Sequence, residues 1–246
     1  LVKIAVAVNP ALINLRQQTM TLNALTGGGF EGIGSNNWAI SGELTDTGMP
    51  LLADDMHLAA QMPSIWYEVG LHCSSCGINV IGVSFAGAPG VVVGHNDHIA
   101  WAMTNVGPDV QDLYIEKINP DNHNQYEFQG EWVEMEIINE QIQVAGSDPV
   151  EQIVRITRHG PIITEVYGLD EFSEEAGIAL PENYAIALRW TALEPTCTLC
   201  AIFAINTAQN WEDFRMAAAD FAVPSQNLTY ADVDGNIGLY VCAGVP

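Results

Sequence analysis

From Ser35 onward the chain is a succession of short apolar runs. Residues 37–41, 66–71, 78–85, 91–94, 99–104 and 113–117 are rich in β-branched or aromatic side chains, and Gly, Pro, Asn and Asp punctuate them. That pattern predicts strands. Residues 134–144 alternate apolar and charged positions, which predicts a half-exposed strand. The period changes near the end. Trp211, Phe214, Ala218 and Phe221 fall close to one helical face. Asn210 stands before them as a cap, with Asp213 three residues on in an imperfect capping box. A second helix is expected over residues 199–208. The segment LTYADVDGNIGLYVC reads as a hairpin turning at Asp234-Gly235-Asn236. There is no internal repeat, and many strands followed by helices predict a layered α+β fold.

Residues 1–34 differ in character. Asn9-Pro10 and a glycine run flank the polar stretch NLRQQTMTLN, predicting a short helix and a linker. The 246 residues, 48% of them hydrophobic, suffice for one sizeable core or two small lobes. Seven Lys and Arg stand against 30 Asp and Glu, a formal net charge of −23. Nucleic acid would be repelled, because its binding relies on cations that neutralise phosphates. An anionic membrane surface is disfavoured for the same reason. The acidity suits solubility outside the cell or in saline surroundings. No apolar run approaches the roughly 20 residues that span a bilayer, so no membrane insertion is expected.

The candidate chemistry sits in GGGFEGIGSNNWAISG, residues 27–42. Gly34 places no side chain in the way of an attack by the Ser35 hydroxyl on the preceding carbonyl. Hydrolysis of the resulting ester would make Ser35 a new N-terminus. An α-amine titrates near neutrality, roughly 7.7–8.0, so it can take the hydroxyl proton without a separate histidine.

The blocks downstream of Ser35 are far more specific than a Gly-Ser pair. SNNWAISG, TGMPLLADDMHL, PSIWYEVGLH, PGVVVGHNDHIAWAMTNVGPDVQDLYIEK, TRHGPII, ALRWTALEP and YADVDGNIG occur in that order. Together they resemble the penicillin acylase family of N-terminal-nucleophile amidohydrolases, over almost the whole chain from Gly34 to about Gly238. The resemblance implies a four-layer αββα core and autocatalytic cleavage between Gly34 and Ser35. Residues 1–34 would then be the end of a small chain or spacer, and residues 35–246 the first part of a nucleophile-bearing large chain. It also implies export to the periplasm or beyond, and substrates that are N-acylated β-lactams or N-acyl homoserine lactones. The partner it implies is the other chain of a processed heterodimer.

Residue by residue, the resemblance makes Ser35 the nucleophile and its own α-amine the base. His57, in ADDMHL, would orient that amine or the scissile amide. The backbone N–H of Asn105 would form half of an oxyanion hole, the other half coming from an asparagine beyond residue 246. Asp109, the carbonyl of Gln111 and Asp112 would hold a structural calcium, a hard cation that takes six to eight oxygen ligands. No organic cofactor is expected. Leu58, Val93, Gln226 and Leu228 would line the acyl pocket. Leu58 and Val93 stand where phenylacetyl-specific members carry larger aromatic groups.

Other residues invite less. Arg158 and His159 in TRHGPII read as structural. His95 and His98 flank an Asn-Asp turn and lack a third ligand for zinc. Cys73 and Cys76 form one C-x-x-C, Cys197 and Cys200 another, and Cys242 is left over. Disulfides are expected in an exported protein, either within each pair or across the two. A Cys₄ zinc site would need an unusually wide spacing. A Ser-His-Asp enzyme of the elbow type is disfavoured by the lack of G-x-S-x-G. The alternative of another class is a catalytically inactive relative that serves as a binding or assembly module.

Overall fold

The computed structural model describes residues 34–58, 62–164 and 181–246; the helix and linker expected before Gly34 lie outside the described residues. The chain divides into two compact units. One takes in the described residues up to Asp109 with Glu194–Val245, and the other Val110–Leu193.

The first unit begins with β1 (Gly34–Ile40) and β2 (Leu51–His57), an antiparallel pair in which Gly34 faces His57 and Asn37 faces Asp54. β3 (Trp66–Cys73), β4 (Ile78–Phe85), β5 (Val93–His95) and β6 (Ile99–Asn105) come next. In the other unit β7 (Gln111–Asn119), β8 (Asn122–Phe128) and β9 (Glu131–Glu134) lead to β10 (Glu136–Ile142), β11 (Val150–Thr157), β12 (Gly160–Pro161) and β13 (Tyr184–Trp190). They form a four-stranded sheet ordered β13-β7-β8-β9 and a three-stranded sheet ordered β10-β11-β12. The chain then returns to the first unit as α1 (Thr198–Thr207), α2 (Trp211–Ala219), β14 (Gln226–Asp232) and β15 (Ile237–Cys242). The six-stranded sheet of that unit is ordered β15-β14-β6-β5-β4-β3.

Strand alternation gives this sheet two unlike faces. On one, Trp101, Met103, Leu228 and Tyr230 pack under the helices with Ile205, Phe214 and Ala218. Gly238 belongs to this face because a Cβ there would lie 2.5 Å from Cζ3 of Trp211. The other face is built of small side chains, among them Ala102, Thr104, Thr229 and Ala231, all buried. β1 and β2 stack on β6 and β14. Helices, six-stranded sheet and two-stranded sheet thus make three layers among the described residues.

The helix-start reading is accurate in detail. Asn210 Oδ1 accepts from the Asp213 N–H at 3.0 Å, and Asp213 Oδ2 accepts from the Gln209 N–H and Asn210 Nδ2. The single half-exposed strand expected over residues 134–144 is a correction. β9 ends at Glu134, Met135 turns inward, and all seven residues of β10 are exposed. Adjacent Ile137 and Ile138 already break the alternation, and among the described residues β10 pairs only with β11.

Cysteine pairing is local: Cys73–Cys76 closes the turn between β3 and β4, and Cys197–Cys200 lies at the start of α1. Cys242 is a buried free thiol that donates to the Gln226 carbonyl at 3.4 Å, and burial pushes its pKa up. Arg158 and His159 are structural, as expected. His159 Nδ1 meets the buried Glu116 carboxylate at 2.7 Å and stacks on Tyr114, while Arg158 lies over the Phe128 ring.

Candidate active site

Ser35 is the second residue of β1. Its Oγ donates to the carbonyl oxygen of Gly34 at 2.6 Å, so the hydroxyl lies beside the peptide group that precedes it. Alternation along β1 sends Ser35 and Asn37 toward the six-stranded sheet and Gly34 and Asn36 the other way. Asn37 fixes this sense: its Oδ1 accepts from the Thr229 hydroxyl at 2.9 Å.

His57, opposite Gly34, is on the outer face with Asn36. Its Nε2 pairs with Asp55 Oδ2 at 3.1 Å and Asn36 Nδ2 at 3.3 Å. Its Nδ1 lies 3.6 Å from the position a Cβ on Gly34 would take. The ring therefore flanks Gly34, and the Ser35 side chain points away from it.

Asn105 ends β6, and its backbone N–H is directed by the ladder. Val106 donates to the Ser225 carbonyl, and Asn105 is the register partner of Gln226. Successive N–H groups point to opposite edges of a strand, so those of Met103 and Asn105 face away from β14. On that edge β5 pairs only as far as Trp101, and Asp54 Oδ2 accepts from the Met103 N–H at 3.0 Å. The Asn105 side chain is on the opposite side of the sheet, where its Oδ1 accepts from Gln226 Nε2 at 2.6 Å.

The residues predicted to line an acyl pocket share this unit with Ser35 and Asn105. Val93 and Leu228 are members of its core, Gln226 is buried against Asn105, and Leu58 is half-exposed just past β2. A groove of about 370 Å³ in the same unit, bordered by Tyr67, Leu71, Phe85 and the Ala86–Gly90 turn, includes none of the four.

Asp109 is exposed in the loop after β6, while Gln111 and Asp112 open β7 in the other unit. Two carboxylates and an amide carbonyl have the hard-oxygen chemistry that calcium takes, though they supply fewer than its six to eight ligands. Among the described residues no three His, Cys, Asp or Glu side chains cluster as metal ligands, His95 and His98 included.

Sequence reasoning missed Asp54 and Asn96. Asn96 Oδ1 accepts from the His98 and Ile99 N–H groups, and its Nδ2 donates to the carbonyls of Asn206 and Ala208 at the end of α1. The Asn-Asp turn between two histidines is thus a helix-docking turn. Only the asparagine itself signalled it.

A sequence model of the penicillin amidase family matches residues 3–246. An acyl-homoserine lactone acylase QuiP of Pseudomonas aeruginosa is 33% identical over 86% of this chain and 25% of its own length. The penicillin G acylase of Escherichia coli is 30% identical over 85% of the chain and 23% of its own. Among solved structures, a thermostable penicillin G acylase from Alcaligenes faecalis superposes with a TM-score of 0.70 at 30% identity. That likeness covers 84% of this chain and 35% of the other. The chain spans about a quarter of the length of the curated relatives it matches.

Proposed function

The chain belongs to the penicillin amidase family, and on that premise we propose that its protein is an autoprocessed amidohydrolase acting through Ser35. Its substrates would be N-acylated, of the β-lactam or N-acyl homoserine lactone type. The observation that carries this reading is the 2.6 Å bond from the Ser35 hydroxyl to the Gly34 carbonyl. In processing, Oγ adds to the Gly34 carbonyl carbon and the C–N bond breaks. The serine nitrogen takes the hydroxyl proton, and water then hydrolyses the ester to a Gly34 carboxylate and a free Ser35 amine. His57, which flanks Gly34, would act at this scissile peptide.

In turnover the same hydroxyl attacks the substrate amide, passing its proton to the Ser35 amine. The tetrahedral oxyanion accepts from the Asn105 N–H, a kind of donor whose removal elsewhere costs about 2.7–4 kcal/mol. Collapse protonates and releases the amine product and leaves an acyl ester on Ser35. Water hydrolyses that ester and frees the carboxylic acid. Leu58, Val93, Gln226 and Leu228 would shape the acyl side.

Calcium at Asp109, Gln111 and Asp112 would be structural, which metal analysis of the full-length protein would check. A fourth, helical layer, a second processed chain and export beyond the cytoplasm belong to the same reading.

The test is Ser35→Ala in the full-length protein. A single uncut chain without amidase activity is expected. Normal cleavage with retained hydrolysis would overturn the proposal, and an uncut Gly34-Ser35 bond in the mature wild-type protein would favour a non-catalytic module. Mass and N-terminal sequence of the wild-type chains should place Ser35 first.

A further inference from the structure

We propose that Asp54 is a positioning residue of the acyl-transfer site, its carboxylate standing in for a neighbouring strand along β6 and fixing the edge from which Asn105 presents its N–H. The inference rests on the Ser35 reading. It starts from an interruption in the sheet. β5 is three residues long and pairs with β6 at Ala100 and Trp101 only. Beyond Trp101 the outward N–H groups of β6, those of Met103 and Asn105, have no strand to donate to on that edge among the described residues. A free strand end of this kind is mobile unless something holds it. Asp54 Oδ2 holds it at Met103, one outward N–H before Asn105.

Asp54 does this from the strand that pairs with the nucleophile strand. It is the register partner of Asn37, and Asn37 is bonded to Thr229 on β14. The Asn37–Asp54 rung is thus tied to β14 through one member and to β6 through the other. Ser35 lies two residues before Asn37 on the same face of β1. One rung therefore sets the register between the strand carrying the nucleophile and the strand carrying the oxyanion donor.

The arrangement is costly for a purely structural contact. Asp54 Oδ1 and Asn37 Nδ2 are both buried without a hydrogen-bond partner among the described residues. Burial pushes the Asp54 carboxyl above its ordinary range, against the lowering effect of the Met103 and Asp55 N–H groups. Unsatisfied buried polar atoms are rare in proteins, and an apolar side chain at position 54 would bury no unpartnered carboxylate oxygen. What an apolar side chain lacks is the acceptor for Met103.

The experiment compares Asp54→Ala and Asp54→Asn in the full-length protein, measuring kcat and KM per matured chain on a chromogenic acyl amide. An oxyanion donor acts in the transition state, so its misplacement lowers kcat and leaves KM nearly unchanged. Asp54→Ala is expected to lose about tenfold or more in kcat, with KM within about twofold. Asp54→Asn keeps a carbonyl acceptor and is expected to stay within about threefold of wild type. Matured Asp54→Ala with wild-type kcat overturns the inference. Matured Asp54→Asn that loses as much kcat as expected of alanine also overturns it, including where the alanine variant fails to mature, because the charge and not the acceptor would then matter. Ser35→Ala run alongside separates the two levels. If it remains active, the Ser35 reading fails; if it is inert while Asp54→Ala keeps its kcat, only the positioning role falls.

Discussion

The side-chain amide of Asn206 closes both hydrogen bonds of Val91. The Val91 N–H donates to Asn206 Oδ1 at 2.8 Å, and Asn206 Nδ2 donates to the Val91 carbonyl at 2.7 Å. Val91 is fully buried and lies outside any strand, so without this amide its backbone would have no ladder to join. The pair fastens α1 to the turn between β4 and β5.

Replacing Asn206 with alanine leaves a buried donor and a buried acceptor unsatisfied, each worth about 1–3 kcal/mol. Asn206→Ala should therefore destabilise the protein by about 2–6 kcal/mol. Equilibrium or thermal unfolding of the full-length variant checks it. A loss below about 0.5 kcal/mol, typical of a neutral surface change, would contradict this account.

Asp232 gives a pH signature. Its carboxylate accepts from the Tyr230 hydroxyl, the Asp234 and Asn236 N–H groups and Asn236 Nδ2. Burial alone would raise its pKa, but these donors outweigh it, and the net shift is downward from 3.8. Burial and the Asp232 bond push the Tyr230 phenol well above its ordinary value. A carboxylate lowered on folding adds stability that is complete above its unfolded pKa and is lost as pH falls through the folded value. Asp232→Asn should cost about 1–3 kcal/mol at neutral pH. The gap between variant and wild type should narrow as pH drops below 3.8. A pH-independent gap would show that the charge contributes nothing.

Acyl preference should lean to aliphatic chains over phenylacetyl. Leu58 and Val93 offer no aromatic partner, and an aromatic contact adds about 0.5–1.5 kcal/mol beyond burial. Each further methylene buried in an apolar site adds about 0.8 kcal/mol, so several outweigh that loss. The check is kcat/KM for phenylacetyl against octanoyl amides of one chromogenic amine. A clear phenylacetyl preference would refute the pocket assignment and leave the Ser35 chemistry intact.

Local signals carried much of the fold. β3, β4 and β6 coincide with the apolar runs, α2 starts at its predicted cap, and the last hairpin turns at Asp234-Gly235-Asn236. β2 was hidden because LLADDMH carries two aspartates, a residue depleted in strands. β8, NHNQYEF, is polar enough to read as loop. Within the candidate site, Ser35 was singled out from its neighbours in sequence, and its hydroxyl lies beside the Gly34 carbonyl. His57 was legible as a position, but its face was not, because facing depends on the register of β1 with β2. Asp54 drew no attention in ADDMHL, since its partner Met103 is brought to it only by the stacking of two sheets.

The small-residue face between those sheets has a mechanical consequence. Alanines and threonines interlock poorly, so shape alone resists sliding only weakly. A flat plate on a smooth bed needs one pin to stop it translating and a second to stop it rotating. Asn37 to Thr229 and Asp54 to Met103 are two such pins on separate strands. Pull either one and the two-stranded plate keeps a pivot, so the Ser35 hydroxyl would swing on an arc while the protein stays folded.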